Sequence, residues 1–379
     1  MIELSPATAF ITGTVLYSAY YLSHYGKKPD LYKKNGTRLS SFVDKHVPTL
    51  KSPYWSFFWV PGGKLQTVVA SLLPIKQSVE YTREAIPTPD GGQFTLAWAN
   101  NENVNNNNLP LVAILPGLVS TSKTGYIQNI VDAVVKKGYR AVVVVNRGLE
   151  LPCLTGKAFC ATHTSDFEQA MSIIRQRYPD TPVMAIGISL GSLILGRYLS
   201  IKQERSDLLA AFLYSCPFDT VQGSASIEKW DNWLLYNIVL TNNLKQIYIR
   251  HKEMFKDIVD HSEVMSSRSI REVDMHFTSK VFGYESVDHY YRDSRLTATR
   301  LQSIRTPTLC LCANDDAFVP EHALPRDDVS ATDHVVLAVT SGGGHVGHLS
   351  GANPFNTPYY IDVITDYVTA VFNHEKDLH

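Results

Sequence analysis

The sequence predicts an α/β protein, a mostly parallel sheet with helices on both faces and a helical cap insertion. Three observations carry that expectation. Short Val/Ile/Leu runs alternate with stretches of helical period between residues 111 and 214. Those runs are near-continuously apolar rather than alternating, as for strands buried on both faces. Between Pro217 and Arg305 the alternation gives way to a helix-rich, aromatic stretch, and strand-like runs then resume. A chain of 379 residues is long enough for one large core with a cap.

Taken in order, residues 6–22 carry no charge and precede Lys27, Lys28, Lys33 and Lys34. The expectation for 1–25 is a hydrophobic anchor crossing a membrane once, with Tyr17, Tyr20 and Tyr21 suited to the interface. A helix lying on the membrane or on the protein is the alternative. The lysines favour a cytosolic catalytic domain. No basic residue precedes the segment and no small-residue cleavage site stands out, so a removed signal peptide is not expected. Asn35-Gly36-Thr37 is a glycosylation sequon, meaningful only in a lumenal domain. Residues 26–75, with Tyr54, Trp55, Phe57, Phe58 and Trp59, read as a segment covering the core.

Strands are expected at 77–85 and 93–99, joined by the hairpin chemistry of Pro89-Asp90-Gly91-Gly92. The asparagine-rich run 100–108 reads as a solvated loop tip. Strands at 111–115, 141–145 and 183–186 then alternate with helices at 127–137 and 167–178, the second opened by a Ser165/Glu168 capping box. Further strands fall at 210–214, 308–312 and 335–339, with a last helix at 359–372. The expected units are therefore a core of 76–216 with 306–379, and a helical cap of 217–305.

Composition excludes more than it assigns. A net charge of −1 gives no reason to expect nucleic acid. The 13 histidines show no metal spacing, and no metal or organic cofactor is implied. Five cysteines lack framework spacing; Cys310 and Cys312 fall in a strand-like run as small hydrophobes, so no disulfide is required.

The chemistry centres on Gly187-Ile188-Ser189-Leu190-Gly191, set between a strand and a helix. A turn this tight strains the serine backbone, needs glycines on both sides, and lifts the hydroxyl above the sheet at a helix N-terminus. A glycine-rich packing turn is the bland alternative. A serine hydroxyl needs a base, itself oriented by a carboxylate. Asn314-Asp315-Asp316 ends a strand, at the sheet edge where such folds bind ligands. Asp316, four residues before Pro320, is favoured over Asp315. In Gly342-Gly343-Gly344-His345-Val346-Gly347-His348, glycines let the loop bring His345 over the serine, and His348 ranks second, as a surface or pocket residue. For the oxyanion, Leu190 N–H supplies one donor, and Leu118 of Leu115-Pro116-Gly117-Leu118 the other, with Val119 close behind.

These stretches resemble the AB hydrolase 4 family of α/β-hydrolases, in its domain-containing protein 1 and 3 branch. Leu65-Gln66-Thr67, Asn146-Arg147-Gly148, Lys157-Ala158-Phe159-Cys160-Ala161, Phe282-Gly283-Tyr284 and Tyr290-Tyr291 add to the likeness, which covers nearly the whole chain. The resemblance implies an α/β-hydrolase fold with the catalytic triad at Ser189, Asp316 and His345. It also implies a membrane-associated serine hydrolase of acyl esters. One branch of the family acts as a phospholipase A on phosphatidylcholines with medium-chain or oxidatively truncated acyl groups. The expected partners are thus a phospholipid or other acyl ester, and a membrane. For 26–75 the alternative to a covering segment is a role in guiding lipid into the site. The sequence departs from the family at Val119-Ser120-Thr121-Ser122, where glycines are expected, at Val273 in place of Phe, and at His348 in place of an aromatic. His345 has no Asp five residues on, so the H-x4-D acyltransferase pattern is absent there. Rivals to the phospholipase are a neutral-lipid or short-ester carboxylesterase, an alcohol acyltransferase, and a non-enzymatic membrane receptor or scaffold.

Overall fold

The computed structural model describes residues 5–73, 79–100 and 109–378. Its strands are β1 (Asp30–Tyr32), β2 (Tyr81–Pro87), β3 (Gln93–Ala99), β4 (Leu111–Leu115), β5 (Arg140–Val145), β6 (Val183–Ile188), β7 (Ala210–Tyr214), β8 (Thr308–Ala313) and β9 (Val335–Thr340). They form one sheet in the order β1-β9-β8-β7-β6-β4-β5-β3-β2. The six strands from β9 to β5 run parallel, while β1, β3 and β2 pair antiparallel at the two edges.

The continuous apolar runs are explained by two cores. Along β4, Leu111, Ala113 and Leu115 enter one cluster and Val112 and Ile114 the other, as the two-residue period of a strand requires. The first core is closed by α5 (Ser165–Arg177) through Phe167, Met171 and Ile174, and by α6 (Leu190–Lys202) through Leu193, Leu195 and Leu199. The second is closed by α2 (Arg38–His46), α4 (Gly125–Lys136) and the helix Tyr359–Asn373. Each fully buried Val, Leu or Ile contributes about 1.5–3 kcal/mol.

Between β7 and β8 lie short helices and one long one, Ile238–Phe255. Tyr248 and Phe255 of that helix form a small cluster with Cys153, Val259 and Val264. The covering segment carries α2 and a further helix, α3 (Gly63–Leu72).

Several expectations are corrected. The first hairpin strand extends to Pro87 because Ile86, 3% exposed, still pairs with Phe94. Gln77 and residues 101–108 of the asparagine-rich run lie outside the described residues. The Ser165/Glu168 capping box does not form. Thr164 is the N-cap, the Ser165 hydroxyl bonds His163 Nε2 at 2.7 Å, and Glu168 turns to Lys202.

The single-pass membrane span is also overturned. Among the described residues, no helix is long and apolar enough to cross a membrane. The first helix, α1 (Pro6–His24), has 19 residues, but threonines, two serines and a glycine dilute its hydropathy. Its last turns are tied to the covering segment instead. The Tyr21 hydroxyl donates to Ser56 O at 2.6 Å and Tyr17 donates to Phe58 O, while the Tyr21 ring meets Trp55 and Phe58.

One buried ion pair fixes the end of β5. The Arg147 guanidinium, 3% exposed, holds Asp166 through two bonds of 2.6 Å and Asp90 at 2.7 Å. It thus locks the β2–β3 turn to the start of α5. Removing the cation strands two carboxylates, so Arg147→Met should cost about 3 kcal/mol, read as a lower urea midpoint. An unchanged midpoint would show that the pair contributes nothing to stability.

Candidate active site

Ser189 follows β6 directly and begins α6, at φ 52°. A non-glycine residue there costs about 1–3 kcal/mol, so the surroundings must enforce it. They do so by close approach. A Cβ on Gly187 would lie 2.6 Å from Gly191 O and from Ser192 Cα, and one on Gly191 would strike the Leu115 carbonyl. Ser189 N donates to Tyr214 O at 2.9 Å, extending the β6–β7 ladder to the turn itself.

The three side chains singled out in the sequence come together. Ser189 Oγ lies 2.8 Å from His345 Nε2, and His345 Nδ1 lies 2.8 Å from Asp316 Oδ2. Asp316, 3% exposed, accepts Phe318 N at 2.7 Å and Val319 N at 3.3 Å on its other oxygen, which fixes the carboxylate in the loop. Phe318 stacks on the imidazole with centroids 4.3 Å apart. Asp315 faces away from His345 Nδ1; its oxygens accept Gly63 N at 2.6 Å and Gly344 N at 2.9 Å. Burial is the main reason its carboxyl is pushed up to about 6.

Leu118 and Leu190 both line the cavity above the serine, as does Val119. Tyr126 Oη accepts Gly117 N at 2.9 Å, and Ser120 N returns to Gly117 O at 3.2 Å. Among the described residues no acceptor meets the N–H of Leu118 or Val119. Gly117 allows this turn to approach the elbow, since a Cβ there would lie 3.2 Å from Ser189 Cβ. Val119 sits at φ 54°, the left-handed conformation that explains why relatives are expected to place glycine nearby.

His348 is neither at the surface nor in the pocket. It is 0% exposed, with Tyr214 Oη 3.0 Å from Nδ1 and Thr340 Oγ1 3.0 Å from Nε2. The Thr340 hydroxyl donates to Gly342 O at 2.6 Å, so it accepts from Nε2–H and Tyr214 donates to Nδ1. The ring also packs 5.7 Å from Tyr54 and 5.5 Å from Tyr214, filling the place of an aromatic.

Other residues here carried no sequence signal. Phe318 and Tyr126 are separated from their partners by turns whose conformation the sequence does not announce. The cavity, about 1500 Å³, is walled by Leu193, Tyr236, Leu240, Phe277, Tyr290 and Phe318 among others. Val273 also lines it, leaving more room than phenylalanine would.

Residues 107–345 match the family model described as "Serine aminopeptidase, S33" (Hydrolase_4). The chain belongs to this α/β-hydrolase family. The hydrolase is similar to "Phospholipase ABHD3" of Homo sapiens, 37% identical over 370 residues, 96% of this chain and 90% of that protein. It is also 26% identical over 359 residues to "Monoacylglycerol lipase ABHD2" of Danio rerio, covering 90% of this chain and 85% of that one. A solved structure, "Ferulic Acid bound to Est1E from Butyrivibrio proteoclasticus", shares the fold with TM-score 0.50 at 12% identity, over 78% of this chain and 99% of that one.

Burial holds the His348 pKa of the hydrolase down to about 3, below the 6.5 of a free imidazole. The unfolded chain therefore takes up this proton first. The stability contributed by a neutral His348 is complete above pH 6.5 and drains away toward pH 3, by about 1.4 kcal/mol per unit. Urea unfolding between pH 7 and 5 should show this slope in the wild type and its loss in His348→Gln. Identical slopes would mean that His348 titrates normally.

Proposed function

We propose that the protein is a serine hydrolase of lipid acyl esters, with phospholipase A-type cleavage of phosphatidylcholines as its principal reaction. The observation that carries this reading is the Ser189–His345–Asp316 chain of 2.8 Å contacts at the floor of a large apolar-walled cavity. The similarity to the proteins named phospholipase and monoacylglycerol lipase supports a lipid ester as substrate.

In this mechanism His345 Nε2 takes the Ser189 proton as Oγ attacks the ester carbonyl. Asp316 keeps Nδ1 protonated and stabilises the imidazolium. The N–H groups of Leu118 and Leu190 hold the oxyanion. The imidazolium returns its proton to the departing alcohol, a lysophospholipid, leaving an acyl-serine. Water, deprotonated by His345, then releases the fatty acid. The chain from 217 to 305 acts as a cap, supported by Tyr236, Leu240, Phe277 and Tyr290 facing the same cavity as Ser189.

A second reading, hydrolysis of neutral glycerides, is favoured by the similarity to the protein named monoacylglycerol lipase. It uses the same machinery and differs only in the alcohol released.

Fluorophosphonate should label the wild type and not Ser189→Ala, and phosphatidylcholine should compete with the label. Asp316→Asn should lower kcat by roughly 10³–10⁴ with the fold intact. Labelling of Ser189→Ala would refute the mechanism. Competition by monoacylglycerol but not phosphatidylcholine would select the second reading.

A further inference from the structure

The first aspartate of Asn314-Asp315-Asp316, Asp315, has no part in the chemistry above, yet its carboxylate joins two distant pieces of chain. One oxygen accepts Gly63 N, the first residue of α3, and the other accepts Gly344 N, the residue before His345. The fit is tight: a Cβ on Gly63 would strike Asp315, and one on Gly344 would strike Gly63 O. One turn along the same helix face, Thr67 Oγ1 accepts His345 N at 2.8 Å while donating to Gly63 O at 3.0 Å. Gln66, 0% exposed, accepts Leu349 N at 2.8 Å. Residues 63, 66 and 67 lie on one face of a helix, so α3 holds the histidine loop at both ends.

That loop needs holding. Gly343, Gly344, Val346 and His348 all have positive φ, and the two non-glycine residues each cost about 1 kcal/mol or more. Such a backbone keeps its shape only where its surroundings over-determine it.

We propose that Asp315 is a positioning residue, and that through it and Thr67 the N-terminal segment sets His345 in line with Ser189. The proposal rests on the reading of His345 as the general base. An ionised carboxylate satisfies both N–H groups; a protonated or amidated one presents a donor to one of them. Loss of this arrangement leaves the imidazole attached to Asp316 but displaces its Nε2 from the serine, which costs kcat and spares binding.

Protonation has the same effect, since burial followed by Asp316 sets the Asp315 carboxyl near 6 against backbone N–H bonds that lower it. The other titratable groups facing it are Tyr25, Tyr54 and Tyr236, which remain neutral phenols at these pH values; His345, next to Gly344, is bonded to Asp316. Lys64, next to Gly63, is engaged by Asp231.

The test compares full-length wild type, Asp315→Asn, Thr67→Val and Ser189→Ala, using p-nitrophenyl butyrate hydrolysis from pH 5 to 9 and the rate of fluorophosphonate labelling. Asp315→Asn should lose roughly 10- to 100-fold in kcat at pH 8, with KM within twofold and unchanged near-UV circular dichroism. The acid limb of its log(kcat) profile should be shallower than that of the wild type by one proton. A wild-type kcat and an equally steep limb would overturn the proposal. Where Asp315→Asn does not fold, Thr67→Val decides, because it removes the acceptor for His345 N while leaving the Asp315 carboxylate in place: a lower kcat supports the proposal and a wild-type kcat overturns it. A wild type that neither labels nor hydrolyses the ester would refute the hydrolase reading itself, and the proposal with it.

Discussion

The backbone of α6 lies against the end of β4, with Gly191 packed on the Leu115 carbonyl. This contact leaves no room for a Cβ, and most of the site follows from it. It forces the chain to turn at Ser189, which holds the serine at φ 52° and raises its hydroxyl over the edge of the sheet. It also draws the Gly117 turn beside the serine, so that the backbone of Leu118 and Val119 and the Ser189 hydroxyl share one wall of the cavity. The strain at Ser189 is sustained by the parallel strands on either side, whose ladders run into the turn.

The other half of the site is built differently. Asp316 is fixed by the two N–H groups that follow it in the chain, a local device. The histidine loop is closed on itself by His348 N donating to Gly343 O at 2.8 Å, and it leans on α3 and Ser215. The same helix reaches the helical region between β7 and β8, where Tyr236 donates to Lys64 O at 2.6 Å and Lys64 pairs with Asp231. The segment expected to be a cover is thus a bracket with the histidine loop on one side and the helical insertion on the other.

Much of this was legible because local rules generate it. Continuous Val/Ile/Leu runs revealed the doubly covered sheet, and glycines two positions either side of Ser189 marked the turn. Chain order pointed to an acid and then a histidine, and the structure brings those side chains within hydrogen-bond reach. What the sequence left open depends on contacts remote along the chain. Adjacent aspartates at a strand end look alike until the turn aims one at His345 and the other at Gly63. Nothing about Gly63, Gln66 or Thr67 announces a partner beyond residue 340. The membrane-crossing reading of the N-terminal helix failed for a related reason, since Tyr17 and Tyr21 are committed to carbonyls of the covering segment.

The bond from His345 N to Thr67 joins residues 278 apart. During synthesis, α3 leaves the ribosome hundreds of residues before the loop it must seat, and closing so large an interval carries an entropy cost that only the assembled sheet offsets. The Ser189 turn can form while His345 is still untranslated. A nascent chain therefore carries Ser189 before the histidine that bonds it, and the pair forms only when segments far apart in the polypeptide meet.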